Sequence, residues 1–414
     1  MILRARAVLP LSRPPVPDGA VQVYGNRVTR VGRWKDVTAE DRAGAVDLGE
    51  TVLLPGLVNA HCHLDYTSMA GKFPPQKSFT DWIKLITTAK SEWSYTEFAE
   101  SWLKGAAMLT RTGTTTVADF EAVPELLPEV WQATPLRVIS FLELTGVRSR
   151  RAPAVILREA LDHIASLPAG RSLAHVAPHA LYSTVPELVR LCARAAREQR
   201  WPLSLHLAES FPEFEMFQHA RGDLYAWLQR NQREMSDCGR ESPTRQAHRC
   251  GALAKNLLAV HVNFLGEKDA ALLGRKKVSV VHCPRSHAYF KHPAFPLREL
   301  NRAAVNLCLG TDSLATVYKK PRQSVELNLF SEMQTLAAAQ PQLPPKSILR
   351  MATVNGAHAL GLGRKIGQIS AGAFADLIAV PFTGKLSALF ENVVQHRGDV
   401  SASLMDGRWA IPPA

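Results

Sequence analysis

Two hydrophobic patterns divide the chain into a long middle and two ends. In the middle, short apolar runs alternate with amphipathic stretches such as FAESWLKGAAMLTRTG, whose apolar positions recur at helical spacing. The apolar runs, eight in all, are LLPGLVNAHCHL, TTTVADF, LRVISFLEL, LAHVAPHAL, LSLHLAES, LLAVHVNFL, VSVVHCPRS and VNLCLGTDS. Strand–helix alternation repeated in this way predicts an α/β fold, a (β/α)8 barrel of the TIM type.

The two ends of the chain share a different pattern, in which short runs of alternating apolar residues are separated by turn residues. Residues 1–54 contain short alternating runs, and YGNRVTRVG has the turn residues of a β-hairpin. Residues 366–414 include IGQISAGAFADLIAV and SLMDGRWAIP, where Gly and Asp-Gly separate alternating apolar positions. Both ends therefore differ from the middle, residues 55–365.

Polar residues stand at the C-terminal end of nearly every predicted strand of the middle. In a parallel barrel these ends meet at one mouth, where reactive groups gather. Packing does not explain them, because a buried charge costs several kcal/mol unless it is paired or bound to metal. The residues are His61, His63, His179, His206, Glu209, His261, His282 and Asp312.

Four of these residues form a predicted metal site. His61 and His63 are two residues apart on a strand and share one face. His206 follows alternating leucines, and Asp312 follows Gly310, whose missing side chain permits close approach. Three neutral imidazoles and a carboxylate suit one divalent ion, with zinc preferred and iron as the second choice. The alternatives are histidines that satisfy local polar groups and an Asp312 that caps a helix.

Other strand-end residues are candidates for catalysis and substrate binding. Glu209 lies three residues past His206 and can reach the attacking water without being a ligand, as a proton shuttle must. The alternative is a first-turn helix residue stabilised by the helix dipole. His261 is expected to polarise the substrate, or else to be a further ligand or a structural histidine. We expect substrate contacts from His179, His282, Arg285 and Trp82, although a structural role for His282 is an equal alternative.

Composition and charge narrow the classes of partner and the locations that we expect for this protein. The net charge is +12, but the basic residues are scattered, so we expect no nucleic-acid partner. No apolar run approaches the ~18 residues of a membrane span. The start has no signal-peptide pattern and the six cysteines form no C-x-x-C pair, so we expect a cytoplasmic protein. Homo-oligomerisation is left open.

One interval, residues 211–256, is longer than a single crossover helix requires. Aromatic residues lie there among charged ones. Two interpretations have equal weight: an elaborated loop over the active site, or an ordinary surface helix followed by a loop.

The motifs together resemble a known family. PGLVNAHCHLD, HLAES, HVNF, VVHCPRS and LGTDS, in this order, resemble the amidohydrolase superfamily, in its cytosine deaminase-like and chlorohydrolase-like (ATZ/TRZ) branch. The segment after His63 is similar to aminodeoxyfutalosine deaminase-like members. The resemblance implies a metal-dependent barrel at 55–365 and a small composite β-sandwich from 1–54 and 366–414. It also implies one metal ion, because the middle strands lack the lysine that binuclear relatives carboxylate.

The resemblance further implies a reaction. The metal would be held by His61, His63, His206 and Asp312, Glu209 would carry the proton, and His261 would orient the water or polarise the reacting centre. We expect hydrolytic deamination of an amino-substituted heterocycle, an adenine-type nucleoside such as an adenosine derivative or aminodeoxyfutalosine. The alternatives are a chlorohydrolase or cyclic amidohydrolase acting on a nitrogen heterocycle, and a non-catalytic scaffold on a degenerate barrel.

Overall fold

The computed structural model describes residues 1–74, 76–147, 151–320 and 322–413. The chain begins with strands that form part of one mixed sheet. These strands are β1 (Ile2–Val8), β2 (Val16–Tyr24), β3 (Arg27–Arg33), β4 (Val46–Asp47) and β5 (Thr51–Pro55). The hairpin predicted from YGNRVTRVG is present, because β2 and β3 pair antiparallel.

The middle of the chain builds two parallel sheets, each of four strands within the described residues. The first parallel sheet has the order β6-β7-β8-β9 and the second has the order β10-β11-β12-β13. Within each sheet, strands that follow one another in sequence are also neighbours in space, as is usual for consecutive strands. The strands are β6 (Leu57–Cys62), β7 (Thr114–Glu121), β8 (Arg137–Leu144), β9 (Leu173–Pro178), β10 (Leu203–Leu207), β11 (Leu257–His261), β12 (Ser279–His282) and β13 (Asn306–Leu309).

Single parallel bridges connect these two sheets at both of their edges. Cys62 pairs with Asp312 at one edge, and Ala180 pairs with His206 at the other. One buried apolar cluster also contains side chains from both sheets, among them Val58, Ile139, Leu258 and Val281. The two parallel sheets therefore share a core.

The hydrogen-bonded ladder between the two parallel sheets is interrupted at both of the bridged edges, and each interruption has a local cause. Asp312 has a left-handed backbone (φ 53°), which ends the extended conformation after β13. At the other edge β9 ends at Pro178, whose nitrogen has no hydrogen to donate. The predicted strands are thus present, but they form two sheets rather than one continuous ladder.

Helices connect the strands and cover them. The longest, α3, begins with a capping box in which Ser94 and Glu97 satisfy each other's backbone N–H groups. The helices are α1 (Ala39–Ala43), α2 (Phe79–Ser91), α3 (Tyr95–Arg111), α4 (Leu127–Gln132), α5 (Pro153–Ser166), α6 (Pro186–Glu198), α7 (Phe211–His219), α8 (Asp223–Arg230), α9 (Pro243–Arg249), α10 (Asp269–Arg275), α11 (Pro284–Tyr289), α12 (Leu297–Arg302), α13 (Leu329–Ala339), α14 (Pro345–Met351), α15 (Val354–Ala359) and α16 (Leu389–Val394). Among the described residues, no helix is long and apolar enough to cross a membrane.

The C-terminal strands return to the N-terminal ones. They are β14 (Leu377–Pro381), β15 (Ala402–Met405) and β16 (Arg408–Ile411). The resulting terminal sheet has the order β16-β15-β14-β5-β1-β2-β3, with β4 on β1. β14 is antiparallel to β5, so both ends of the chain meet in one sheet. The similar pattern of alternating apolar residues and turn residues at the two ends agrees with this.

The first apolar run of the middle serves two sheets. It was predicted as one strand, but the chain passes from the terminal sheet to the first parallel sheet at Gly56. The Gly56 N–H donates to Asp376 O at 2.9 Å. A Cβ atom on Gly56 would lie 2.1 Å from the Thr115 side chain, so the close approach requires glycine.

Candidate active site

The structure brings five predicted residues together at the C-terminal ends of the parallel strands. Donor atoms of His61, His63 and His206 lie within 4.8 Å of one another, as do those of His61, His261 and Asp312. The Nε2 atoms of His63 and His206 are 3.4 Å apart. Oδ1 of Asp312 lies 3.6 Å from Nε2 of His61 and 3.7 Å from Nε2 of His63. One cluster therefore collects residues from four separate strand ends.

Burial sets the charges of this cluster. The pKa of His63 falls to about 3 because its ring is buried and because His61 lies beside it. Burial and the neighbouring imidazoles hold the pKa of His206 well below 6.5. Burial opposes ionisation of Asp312, but the imidazoles of His61, His261 and His63 still hold its pKa well below the ordinary value. Neutral nitrogens at His63 and His206 and an ionised carboxylate at Asp312 are the states that a divalent cation requires.

Two further observations fit a metal ion at this position. Both ring nitrogens of His61 are buried and have no hydrogen-bond partner in the described part of the chain. An unsatisfied buried polar group is costly, and a bound cation removes that cost. His206 Nδ1 lies 2.9 Å from the carbonyl oxygen of His179, so Nδ1 donates and Nε2 is left as a free donor of electrons to a metal.

Glu209 lies beside His261, one of the residues of the cluster. Oε1 of Glu209 is 3.5 Å from Nε2 of His261, and both side chains are buried. Burial raises the pKa of Glu209 well above its ordinary value, and Asp312 and Glu213 raise it further. A carboxyl group whose pKa is raised towards neutrality can both accept and release a proton.

The backbone around the cluster is strained or tightly packed. Ala208, His261 and Asp312 all have positive φ angles, of 50°, 75° and 53°. Such angles in residues other than glycine concentrate at functional sites. A Cβ atom on Gly310 would lie 2.8 Å from the carbonyl oxygen of His61, so glycine permits the approach predicted from sequence.

A cavity of about 390 Å³ opens next to the cluster. Its lining includes His63, His206, Glu209 and Asp312, so the cavity reaches the candidate metal position. An apolar part of the lining, called here the apolar wall, comes from α2 and α8, through Trp82, Ile83, Ile86, Trp227 and Leu228. A flat aromatic ring suits such a wall.

The predicted substrate contacts divide into two groups. His179 and Trp82 line the cavity. His282 and Arg285 are absent from its described lining. The His282 ring stacks on Phe295 with centroids 3.9 Å apart, and the Arg285 guanidinium forms an ion pair with the buried Glu332. The structure therefore does not bring His282 and Arg285 to the described lining of this cavity, and their contact with substrate stays a prediction.

The interval 211–256 contributes to the cavity, which favours the loop interpretation. Its helix α8 supplies Trp227 and Leu228 to the wall. The buried Arg233 fixes the interval by donating to Tyr182 O at 3.0 Å and to Leu181 O at 2.9 Å. Arg233 also makes a bidentate pair with Asp237, at 2.7 and 2.8 Å.

Sequence reasoning missed a charged pair in the cavity. Lys90 Nζ lies 3.7 Å from Oε1 of Glu143, and both residues line the cavity. Burial opposes ionisation of Glu143, but Lys90, His179 and His63 lower its pKa to about 2. An acidic residue near the end of the apolar run LRVISFLEL was the available signal, since the other strand-end residues were found in the same way.

Comparisons with known proteins identify the family. The model of the amidohydrolase family matches residues 52–409. A 5-methylthioadenosine/S-adenosylhomocysteine deaminase from Syntrophobacter fumaroxidans is 30% identical over an alignment 420 residues long. The alignment covers 94% of this chain and 87% of that protein. The chain belongs to the amidohydrolase family, and the resemblance seen in the sequence is confirmed.

Solved structures show the same architecture. A zinc-bound adenosine deaminase from Xanthomonas campestris has a TM-score of 0.83 at 25% identity and covers 99% of this chain and 92% of its own. The aminofutalosine deaminase of Helicobacter pylori, in complex with methylthio-coformycin, has a TM-score of 0.85 at 21% identity, over 99% of this chain and 100% of its own. The second likeness concerns the fold alone.

Proposed function

We propose that this chain is a metal-dependent aminohydrolase that deaminates an adenine-type nucleoside by hydrolysis. The observation that carries the proposal is the buried Glu209, which faces the cavity and lies 3.5 Å from His261 beside the donor cluster. Deaminases among the relatives support the reaction class and the adenine-nucleoside substrate. The family membership supports a hydrolase over a non-catalytic scaffold.

The proposal includes a closed barrel. We propose that the two parallel sheets act as one eight-stranded barrel, since bridges join both edges and one core is shared. Residues 55–365 would form this barrel, and residues 1–54 with 366–414 would form the small sandwich-type domain. A barrel places the strand ends around one mouth, which is where the donor cluster lies.

Four residues would hold one divalent ion, which we propose is zinc: His61, His63, His206 and Asp312. A bound divalent ion supplies a water-derived nucleophile at neutral pH. The ionised Asp312 would accept a hydrogen bond from the attacking water and orient it. Thr316 Oγ1 donates to Oδ2 of Asp312 at 3.1 Å, which fixes the carboxylate plane and leaves Oδ1 towards the histidines.

Two residues would manage protons and charge. Glu209 would take the proton of the attacking water and deliver it to the ring nitrogen next to the amino-bearing carbon. His261 would donate a hydrogen bond to the oxygen that is added at that carbon. The added hydroxyl group would then give up its own proton, which Glu209 would pass to the amino group. The carbon–nitrogen bond breaks, ammonia leaves and the added oxygen becomes a carbonyl oxygen. General acid–base help of this kind is worth ~10²–10⁴-fold in rate.

The cavity wall suits the two halves of a nucleoside. The apolar side chains of Trp82 and Trp227 would contact the base and its apolar substituents. The ionised Glu143, with Lys90 beside it, would accept hydrogen bonds from sugar hydroxyls. His179 lines the same cavity, and its ring centroid is 4.8 Å from that of the proposed ligand His206.

Ammonia release tests the reaction. The purified chain is assayed with adenosine derivatives, aminopurines and aminopyrimidines, and with a chlorinated triazine and a cyclic amide as probes of the alternatives. We expect ammonia from an adenine-type nucleoside. Chloride release or ring opening without ammonia would instead assign one of the other hydrolases, and a folded protein without bound metal would favour the scaffold.

Glu209→Gln tests the proton shuttle. We expect a loss of ~10²–10⁴-fold in kcat with the metal content unchanged, because the amide is isosteric but does not exchange a proton. Metal analysis and single-turnover rates measure the two effects. A variant with the wild-type kcat would remove Glu209 from the mechanism.

The location stays a proposal. All six cysteines are free and buried, which fits a reducing compartment such as the cytoplasm. We therefore keep the cytoplasm as the proposed location and a small heterocycle as the proposed partner.

A further inference from the structure

We infer that Glu213 and Asn263 are positioning residues for Glu209, because together they fix the backbone of the shuttle from both sides. The inference rests on the proposed function, in which Glu209 moves the proton. It assigns a role to two buried polar side chains that belong neither to the donor groups nor to the cavity lining among the described residues.

Glu213 holds the N–H side of the shuttle. Strand β10 ends at Leu207, and Ala208 then takes a left-handed conformation that turns the chain towards the site. Oε1 of Glu213 accepts from the N–H of Ala208 at 3.0 Å, and Oε2 accepts from the N–H of Glu209 at 2.8 Å. Glu213 itself is completely buried, so water does not compete for these contacts.

Asn263 holds the carbonyl side. Its Nδ2 donates to the carbonyl oxygen of Glu209 at 2.9 Å. The backbone N–H groups of Asn263 and Phe264 donate to the carbonyl oxygen of Ala208, at 3.0 and 3.3 Å. Every backbone N–H and C=O group of residues 208 and 209 therefore has a partner. Such complete satisfaction leaves the Glu209 backbone in one conformation.

His287 determines which way the Asn263 amide faces. Its Nδ1 lies 3.0 Å from Oδ1 of Asn263, and an amide oxygen accepts only, so the imidazole is the donor. The NH₂ group of Asn263 must then face Glu209. The chain of contacts runs from helix α11, through the loop after β11, to the shuttle.

The sequence around Glu213 resembles a plain helix start, and the structure departs from it. Ser210 and Glu213 have the spacing of a capping box, and Ser210 Oγ accepts from the Glu213 N–H at 3.2 Å. In a capping box the carboxylate returns to the first residue of the motif alone. Here it reaches back to residues 208 and 209.

The energetics also favour a positioning role. Burial raises the pKa of Glu213 to about 7, although backbone N–H groups favour its ionised form. A buried carboxyl group is an expensive way to cap an exposed helix, because an uncharged cap works as well there. The cost of burying the Glu213 carboxyl group has a reason here, because that group fixes Glu209, the residue proposed to transfer the proton.

The test uses Glu213→Gln in the full-length, metal-loaded enzyme. The amide keeps one acceptor oxygen but places an NH₂ group against a backbone N–H, so the Glu209 side chain loses its fixed position. We expect kcat to fall about 10- to 100-fold, with KM and metal content near the wild-type values. Glu215→Gln is the matched control, because Glu215 lies on the same helix and pairs with Arg221 at 2.8 Å. The control should keep the wild-type kcat.

A double-mutant cycle separates positioning from general damage. If Glu213 acts through Glu209, Glu213→Gln should change the residual rate of the Glu209→Gln enzyme by less than about threefold. An equal loss in both backgrounds, or a loss of metal, overturns the inference. Should Glu213→Gln fail to fold, Asn263→Ala decides the question. It removes the contacts of the Asn263 side chain with the Glu209 carbonyl and with His287 but keeps those of Glu213, and it should show the same kcat loss.

The outcomes distinguish this inference from the proposed function. Wild-type enzyme that deaminates a nucleoside, with an inactive Glu209→Gln and a fully active Glu213→Gln, keeps the function and refutes the positioning role. Wild-type enzyme that releases no ammonia from any aminated heterocycle refutes the proposed function, and the inference falls with it.

Discussion

Single residues in the site owe their charge states to their surroundings. Glu209 and Asp312 are both buried carboxyl groups, yet the pKa of Glu209 is raised and that of Asp312 is lowered. The difference arises because imidazoles surround Asp312, whereas burial and two nearby carboxyl groups act on Glu209. One group is thereby suited to hold a cation and the other to exchange a proton.

A histidine remote from the donor cluster should make stability depend on pH. His175 on β9 is buried against Trp201 and Phe141, and burial lowers its pKa to about 4. The unfolded chain, with a pKa near 6.5, takes up the proton first as the pH falls. Stability from the neutral ring is therefore complete above pH 6.5 and is lost progressively between pH 6.5 and 4.

The corresponding variant is His175→Gln, which does not titrate. We expect the free energy of unfolding to fall by ~2 kcal/mol less than in the wild type between pH 7 and 5. Urea unfolding at the two pH values measures this. The exposed His248 supplies the control, since His248→Gln should leave the pH dependence unchanged. Parallel pH profiles for wild type and His175→Gln would refute the assignment.

The sequence could predict residues that stand at strand ends in recognisable motifs. His61 and His63 were identifiable because period-two spacing puts them on one face. Glu213 could not be identified from the sequence, because its spacing from Ser210 is that of an ordinary helix cap. Its contacts with the N–H groups of Ala208 and Glu209 depend on the turn at Ala208. The ion pair of Arg285 could not be predicted, because its partner, Glu332, lies 47 residues away in the chain.

Helix α2 shows how one element builds a wall of the cavity. It begins at Ser78, whose side chain accepts from the Asp81 N–H at 3.1 Å. Residues of one helical face line the cavity, at the spacing of successive turns. They are Trp82, Ile83, Ile86, Thr87 and Lys90. The wall therefore depends on the rotation of one helix about its axis.

Trp82→Ala tests this wall. We expect KM to rise about tenfold while kcat changes less than about threefold, because the proposed role of this cavity-lining side chain is to contact bound substrate and not the reacting atoms. Lys84→Ala on the same helix is the control, since Lys84 is exposed and pairs with Asp81. Steady-state kinetics on the best nucleoside measures both. A loss confined to kcat would contradict a binding role.

Elements were predictable by type more than by boundary. The apolar runs of the middle correspond to β6–β13, because buried parallel strands need continuous apolar sequence. The first run did not reveal that it splits at Gly56, since both halves are equally apolar and only the contact with Thr115 separates them. The contribution of α8 to the cavity was likewise invisible, because it depends on where Arg233 fixes the interval.

For the whole molecule, a buried ion pair joins the first parallel sheet to the terminal sheet. Arg137 stands at the start of β8. Its Nη2 atom lies 3.3 Å from Oδ2 of Asp376 and 3.3 Å from Oδ1 of Asp406. Its guanidinium carbon is also 4.1 Å from the centroid of the Phe374 ring. Arg137 and Asp376 are both almost fully buried, so neither charge is compensated by water.

Arg137→Met should lower the free energy of unfolding by about 3–5 kcal/mol, because it leaves the Asp376 carboxylate buried without its partner. The double variant Arg137→Met with Asp376→Leu should recover a large part of that loss, since no buried charge remains. Urea unfolding measures both. If the double variant is less stable than the single one by the full cost of a second mutation, the pair is not coupled.

The origin of the cavity walls has a consequence for how such enzymes diverge. The proposed metal donors stand at the ends of the parallel strands, whereas the apolar part of the cavity lining comes from α2 and α8, which lie outside the sheets. The proposed function therefore places chemistry and selectivity on separate stretches of chain. Exchange of residues 79–91 and 223–230 between relatives would redirect the enzyme to another heterocycle without rebuilding its catalytic apparatus.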